Sequence, residues 1–423
     1  MNAGCAAARL DGTMAFRSGG VSYARFHVSG TAGALPSAVD DALFDRLAEH
    51  VVARDGVGTP PELRAGWCAG RHLLDTSFDW ETCGFGSTLL AGVRIDVAKV
   101  PPELRRAYVA IAEAERSGGA EVADRRLLGR AERKAAREEA DRRCAAELAE
   151  GRHRRSTMVP LLWDLERSIV LAPIAGERKR GEVRDLFAGS LELGLHGRSA
   201  GSLAWDLLSN HGLASELDEI RPSSFTPPPG QRSADGERLL EPVPEVPWAA
   251  ASNEAKDFVG NEWLLWMWWI AETQEGLVDT GVGEVALVLE RALDLECAWG
   301  VSGRTSLRGD APTLLPEAAR ALLHGKWPRR AGLLVAPPGG HAFACSLQAD
   351  RFAVSGATLP EIDDARSERE IVEQRIERTL ELDRTLLALF EAFLRARVGR
   401  GWTTTREQMT EWIRGRAAAR AAA

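Results

Sequence analysis

The chain has 423 residues, 45% of them apolar, with 53 Lys+Arg against 61 Asp+Glu, a composition that excludes disorder over most of its length and suffices for two or three packed cores. Its longest apolar run, Trp263 to Ala271, covers nine residues, whereas a helix crossing a bilayer needs roughly 20. Met1 to Leu10 carries no cationic cluster ahead of a long apolar stretch, so no secretory signal is expected, and the cytoplasm is the expected compartment.

Residues 1–13 are expected to be disordered, with Met14 a possible start. Val21 to Val28 alternates small or polar with apolar residues and predicts a strand; Ser37 is the expected N-cap of a helix through about Ala53. Thr88 to Val97 reads as a second strand, and Pro101-Pro102 opens a helix through about Glu115. From about Arg130 to Glu150 the charges are dense and the apolar residues mostly alanine, which predicts a helix with a thin sticky stripe, projecting into solvent. Thr157 to Trp163 and Ser168 to Leu171 read as strands joined by the turn Asp164-Leu165-Glu166-Arg167, followed by a helix over Gly176 to Ser190.

Between Arg221 and Gly260 seven prolines fall in a stretch with little regular pattern, the expected linker between two halves. Beyond it come an aromatic helix near Glu262 to Glu272 and a hairpin with arms Val285, Leu287, Leu289 and Leu293, Leu295, Cys297. A helix over Leu315 to His324 stops at Gly325, and strands follow at Ala331 to Ala336, His341 to Leu347 and Arg351 to Leu359. A long helical pattern runs from Ala365 to about Val398 until Gly399 and Gly401 break it, and the alanine-rich end is expected to fray. The expected fold is thus α+β: an N-terminal domain over 14–220, a linker over 221–260, a C-terminal domain over 261–360, and a helical extension over 361–423.

Residues that would carry catalysis are not found. The six cysteines form no C-x-x-C pair and read as buried thiols, and the eight histidines include no metal-spaced helical pair. No nucleophile elbow, P-loop or complete G-x-G-x-x-G is present; the glycine-bearing loops at Gly56 to Thr59 and Gly84 to Ser87 read as turns, and the paired carboxylates Asp363-Asp364 and Glu138-Glu139 as solvated surface. No metal, cofactor or enzymatic activity is therefore expected. The stretch Trp263 to Ile270 would be apolar nearly all round a helix, which predicts a core or dimer helix.

Charge is unevenly spread: residues 201–300 hold 5 basic against 18 acidic residues, whereas 101–200 hold 20 against 17. Arg130, Arg133, Lys134 and Arg137 fall within about 100° of arc at roughly 100° per residue, a one-sided cationic strip. Further cations at Arg154, Arg155, Arg178, Lys179 and, later, Lys326 add phosphate-contact candidates.

The segment from Arg126 through Gly129-Arg130-Ala131-Glu132-Arg133-Lys134 to Glu138 resembles the basic helix of the bacterial recombination-associated protein RdgC family. The order continues with Arg155-Ser156-Thr157, Trp163-Asp164, Ile169-Val170 and Arg178 to Leu186, and Gly66-Trp67 and Gly325-Lys326 are further matches; Arg125 stands where the family pattern has its first glycine. The resemblance covers roughly 14–200 and 297–360. It implies a ring-forming homodimer that binds duplex DNA without sequence preference, limits recombinase access to DNA, and associates with the nucleoid. A recombinase filament would be only an indirect partner, and no membrane partner is implied. The alternative is a protein-interaction scaffold that uses the tryptophan-rich and C-terminal helices without DNA.

Overall fold

The structure, a computed structural model, describes residues 16–31, 33, 35–52, 62–117, 128–174, 176–228, 247–248, 254–362 and 365–421, the side chains only as far as residue 416. The expectations for 1–13, Gly56 to Thr59, Asp363-Asp364 and most of the proline-rich linker lie outside these residues.

The elements in chain order are β1 (Val21–Ser29), α1 (Asp41–Glu49), β2 (Leu63–Cys68), β3 (Gly84–Phe85), β4 (Thr88–Ala98), α2 (Pro102–Arg116), α3 (Arg130–Ala149), β5 (Arg154–Asp164), β6 (Ile169–Ala172), α4 (Glu177–Leu191), β7 (Gly194–Gly197), α5 (Ala200–Asn210) and α6 (Ala214–Glu219). They continue with α7 (Phe258–Thr273), β8 (Leu277–Asp279), β9 (Glu284–Cys297), β10 (Thr305–Gly309), α8 (Pro316–Leu323), β11 (Lys326–Ala336), β12 (Phe343–Gln348), β13 (Ala353–Thr358), α9 (Glu368–Val398) and α10 (Trp402–Ala421). The protein is a mixed α and β structure with extensive antiparallel pairing.

Two compact units divide it. The described residues of the first lie within Met1–Ser29, Leu162–Ile174 and His196–Ala423, and those of the second within Gly30–Leu161 and Ala175–Leu195. This division cuts across the sequential partition at 220 and 260, because hydrogen bonding places β1 with strands from the far end of the chain.

In the first unit the strand order is β10-β9-β11-β12-β13-β1-β6, each neighbouring pair antiparallel. The last residues of β5 add to β6 through Leu162↔Leu171 and Asp164↔Ile169, the expected hairpin. One face of this sheet is apolar and meets α7, whose residues from Phe258 to Ile270 are all buried. Trp263 stacks on Phe352 with centroids 5.6 Å apart, and Trp268 meets Trp412 edge-on. The tryptophan-rich helix is thus part of this unit's own core.

Within α7 the carboxylate of Glu262 is 1% exposed and fully occupied: Arg397 Nε donates at 2.6 Å and Ser223 N at 2.5 Å. Arg397 also lies over Trp402 at 4.7 Å, so α7, α9 and α10 meet at one desolvated pair. A second buried pair, Arg25 with Asp383, ties β1 to α9.

One expectation here is corrected. The anticipated hairpin over 285–297 is one continuous strand, β9, bent by a bulge: Arg291 takes φ 62° and the pairing with β11 shifts between Ala331 and Leu333. The bulge puts exposed Arg291 between Leu289 and Leu293, where the alternation calls for an apolar residue, and that gap mimics a turn. After the break at Gly399 and Gly401 the helical extension resumes as α10, with Trp402, Met409 and Ile413 buried on this unit.

In the second unit β4 lies between β2 and the first residues of β5, with β3 hairpinned onto β4. Trp67 packs edge-on to Phe187 of α4 at 5.1 Å and donates from Nε1 to Ser190 Oγ at 2.9 Å. Gly66 precedes it because a Cβ there would lie 2.5 Å from Val52 N, where β2 runs against Val51 and Val52. Helix α1 begins at Asp41, not near Ser37, since the Asp40 side chain accepts from Leu43 N and caps it.

Candidate nucleic-acid interface

The candidate cations centre on α3, in the second unit. Ala136, Ala140 and Cys144 are its buried residues, and they face α2, whose only buried residue is Ala112. Small side chains on both helices permit close approach but bury little apolar surface. The helix expected to project into solvent is packed on α2 as one arm of a helical pair. Among the described residues α2 and α3 pack chiefly on each other.

Ion pairs stitch the C-terminal half of α3 to α2. Arg105 grips Asp141 with Nε at 2.7 Å and Nη2 at 3.1 Å, Tyr108 donates to Glu147 at 2.6 Å, and Arg143 reaches Glu115 at 3.3 Å. Hydrogen bonds from Arg143 and the charge of Arg142 hold the Glu139 carboxyl below its ordinary range; hydrogen bonds from Tyr108 and His153 do the same for Glu147. Arg142 and Arg143 are consequently neutralised where they stand.

The N-terminal half differs. Arg130, Arg133, Lys134 and Arg137 are all exposed. Arg133 donates twice to the Leu128 carbonyl, at 3.1 and 3.0 Å, which leaves its charge uncompensated. Lys134 has only a loose, exposed pair with Glu138 at 3.7 Å. Arg130 and Arg137 have no carboxylate partner among the described residues.

Asp141 sits on the same arc, one turn beyond Arg137, and would satisfy it, but Arg105 already holds that carboxylate. Arg105 is thus the residue that keeps Arg137 free, a role invisible until α2 and α3 are paired. Arg130 and Arg133 lie in the first turn, at the helix end whose dipole is positive, an arrangement that costs helix stability. Glu132 offsets part of that by accepting from Gly129 N at 2.8 Å.

The weaker candidates divide. Arg154, half-buried at the start of β5, shares the buried carboxylate of Asp96 with Arg94. Arg155 is exposed and without a partner among the described residues. Arg178 pairs with Glu62 at 3.1 Å, Glu62 pairs with Lys99 at 3.8 Å, and Lys99 N donates to the His153 carbonyl at 3.3 Å. This chain of contacts sets the first turn of α4 at the foot of the helical pair, with exposed, unpartnered Lys179 beside Arg178. Lys326 belongs to the first unit, where its Nζ donates to Thr305 Oγ1 at 2.9 Å.

Arg94 escaped sequence reasoning, although its i,i+2 spacing to Asp96 on a strand places both on one face. Five cysteines, Cys68, Cys83, Cys144, Cys297 and Cys345, are buried and free; burial pushes the Cys68 and Cys345 thiols up to about 12. No helix among the described residues is long and apolar enough to cross a membrane. No protein-family model matches the chain, and no curated protein matches it.

Proposed function

We propose that the protein binds double-stranded DNA without sequence preference, with the N-terminal half of α3 as its principal phosphate contact. The supporting observation is the placement of Arg130, Arg133, Lys134 and Arg137 in the first turns of a helix, exposed, with Arg130 and Arg137 lacking any carboxylate among the described residues. Phosphate-directed binding requires cations along a backbone and no base-reading groups. Arg155 and Lys179 extend the contact; Arg154, Arg178 and Lys326 are held by partners in the protein and contribute less.

The RdgC-like reading goes further: a homodimer that encloses duplex DNA and limits recombinase access at the nucleoid, with no catalytic step. It rests on the order of sequence patterns. The scaffold alternative loses its main surface, because the tryptophans of α7 are buried in their own unit.

The test is fluorescence anisotropy with a labelled duplex across a salt series. About four to six neutralised phosphates give a slope of log affinity against log salt between about −3.6 and −5.4. The R130E/R137E double variant is expected to weaken binding about tenfold or more on every sequence and to flatten the slope by about two. A slope near zero, or wild-type affinity in the double variant, removes α3 from DNA binding.

A further inference from the structure

The open face of the sheet in the first unit carries a cationic feature of its own. Arg330 of β11 stretches across β12: its Nε donates to Ser346 Oγ at 2.8 Å and its Nη2 to Ser355 Oγ of β13 at 2.7 Å. Both partners are uncharged, so this half-buried guanidinium keeps its charge. The carboxylate at its register position, Asp294, is turned to β10, where Arg304 and Arg308 hold it at 2.5 and 3.0 Å. Among the described residues no carboxylate lies within ion-pair distance of Arg330.

A cavity of about 310 Å³ opens at this point, lined by Glu290, Arg291, Gly332, Ser346 and Ser355 besides Arg330. It exists because of the bulge in β9. At the bulge the Glu290 carbonyl comes so close to β11 that a Cβ at Gly332 would lie 2.1 Å from it, and only glycine fits. Glu290 and Arg291 form an ion pair at 3.1 Å and largely cancel. The net local charge is therefore that of Arg330.

We propose that this cavity binds a phosphate group. Each serine hydroxyl accepts from Arg330 and retains its own proton. The Ser355 hydroxyl has only a long contact, 3.4 Å, to the Ser346 carbonyl, and Nη1 of Arg330 has no acceptor among the described residues. One guanidinium and two hydroxyls are more donors than the two oxygens of a carboxylate use in one plane, and they suit a tetrahedral oxyanion. The cavity has the size of a small ligand site, which points to free phosphate or a small phosphomonoester. The site lies in a different unit from α3 and does not depend on the DNA reading.

Calorimetric titration of the full chain with sodium phosphate, ribose 5-phosphate and sodium acetate tests it. Phosphate or the ester is expected to bind one per chain, at least about tenfold tighter than acetate. Equal affinity for both phosphates assigns free phosphate, and tighter ribose 5-phosphate assigns an ester. Arg330→Gln is expected to weaken binding about tenfold, and Ser355→Ala several-fold. If the arginine variant fails to fold, the S346A/S355A pair decides. The R130E/R137E variant should bind phosphate as the wild type does. Acetate binding as tightly as phosphate, or unchanged binding in the site variants, overturns the proposal. Stoichiometric displacement of phosphate by a duplex oligonucleotide also overturns the small-ligand assignment.

Discussion

Asp96 shows how single residues hold the second unit together. It is 4% exposed, and burial alone would push its carboxyl up. Hydrogen bonds from Arg94, Ser156 and Arg154 outweigh that and hold it below its ordinary value. A carboxyl depressed in the folded state stabilises it above the unfolded pKa, and that contribution is lost as pH falls through the folded value. Asp96→Asn is therefore expected to cost about 1.5–3 kcal/mol near neutral pH. The deficit should shrink below about pH 4, where the carboxyl of the unfolded wild type takes up a proton while the folded one holds its charge to lower pH. Urea unfolding of both proteins at several pH values measures this; a pH-independent deficit would show that charge is not the cause.

Among the helices, the contrast between the α2–α3 pair and α7 governs where the protein opens. The pair buries Ala112, Ala136, Ala140 and Cys144, whereas α7 is buried from Phe258 to Ile270. Hydrogen exchange read by mass spectrometry is expected to find α2 and α3 exchanging orders of magnitude faster than α7. Equal protection would mean that the ion pairs stabilise the arm far more than exposed pairs usually do. The same contrast explains what the sequence made legible. Strong periodicity with clear breakers located β1, β4, α2, α3, α4 and α9 to within a few residues, as with Thr88 to Val97 against β4 at Thr88–Ala98. Short edge elements such as β3, β7 and β10 lack the length to show a period, and the Arg291 bulge broke the one pattern that should have read as a single strand. For the site, the strip on α3 was visible from spacing. That Arg105 takes Asp141 and so frees Arg137 was not, because a pairing 36 residues apart leaves no local mark.

At the scale of the molecule, the two units have separate cores and should unfold as separate steps. Of the thirteen tryptophans only Trp67 and Trp80 fall in the second unit, so indole fluorescence follows the first. In a denaturant series, fluorescence and far-ultraviolet circular dichroism are expected to give non-coincident transitions. Deleting Val21–Ser29 should abolish the fluorescence transition, since β1 is hydrogen-bonded on both edges, to β13 and to β6. Coincident curves for the intact chain would join the two cores into one cooperative system.

The position of β1 also sets a schedule for synthesis. During synthesis β1 finds β6 within about 150 residues, yet its other edge waits for β13 at Ala353–Thr358, and its arginine for Asp383. Throughout that interval the nascent chain carries an unpaired strand edge and a desolvation-prone cation without its counterion. Translation slowed ahead of β13 would prolong the exposure, and the cell's holding factors would meet this protein at β1.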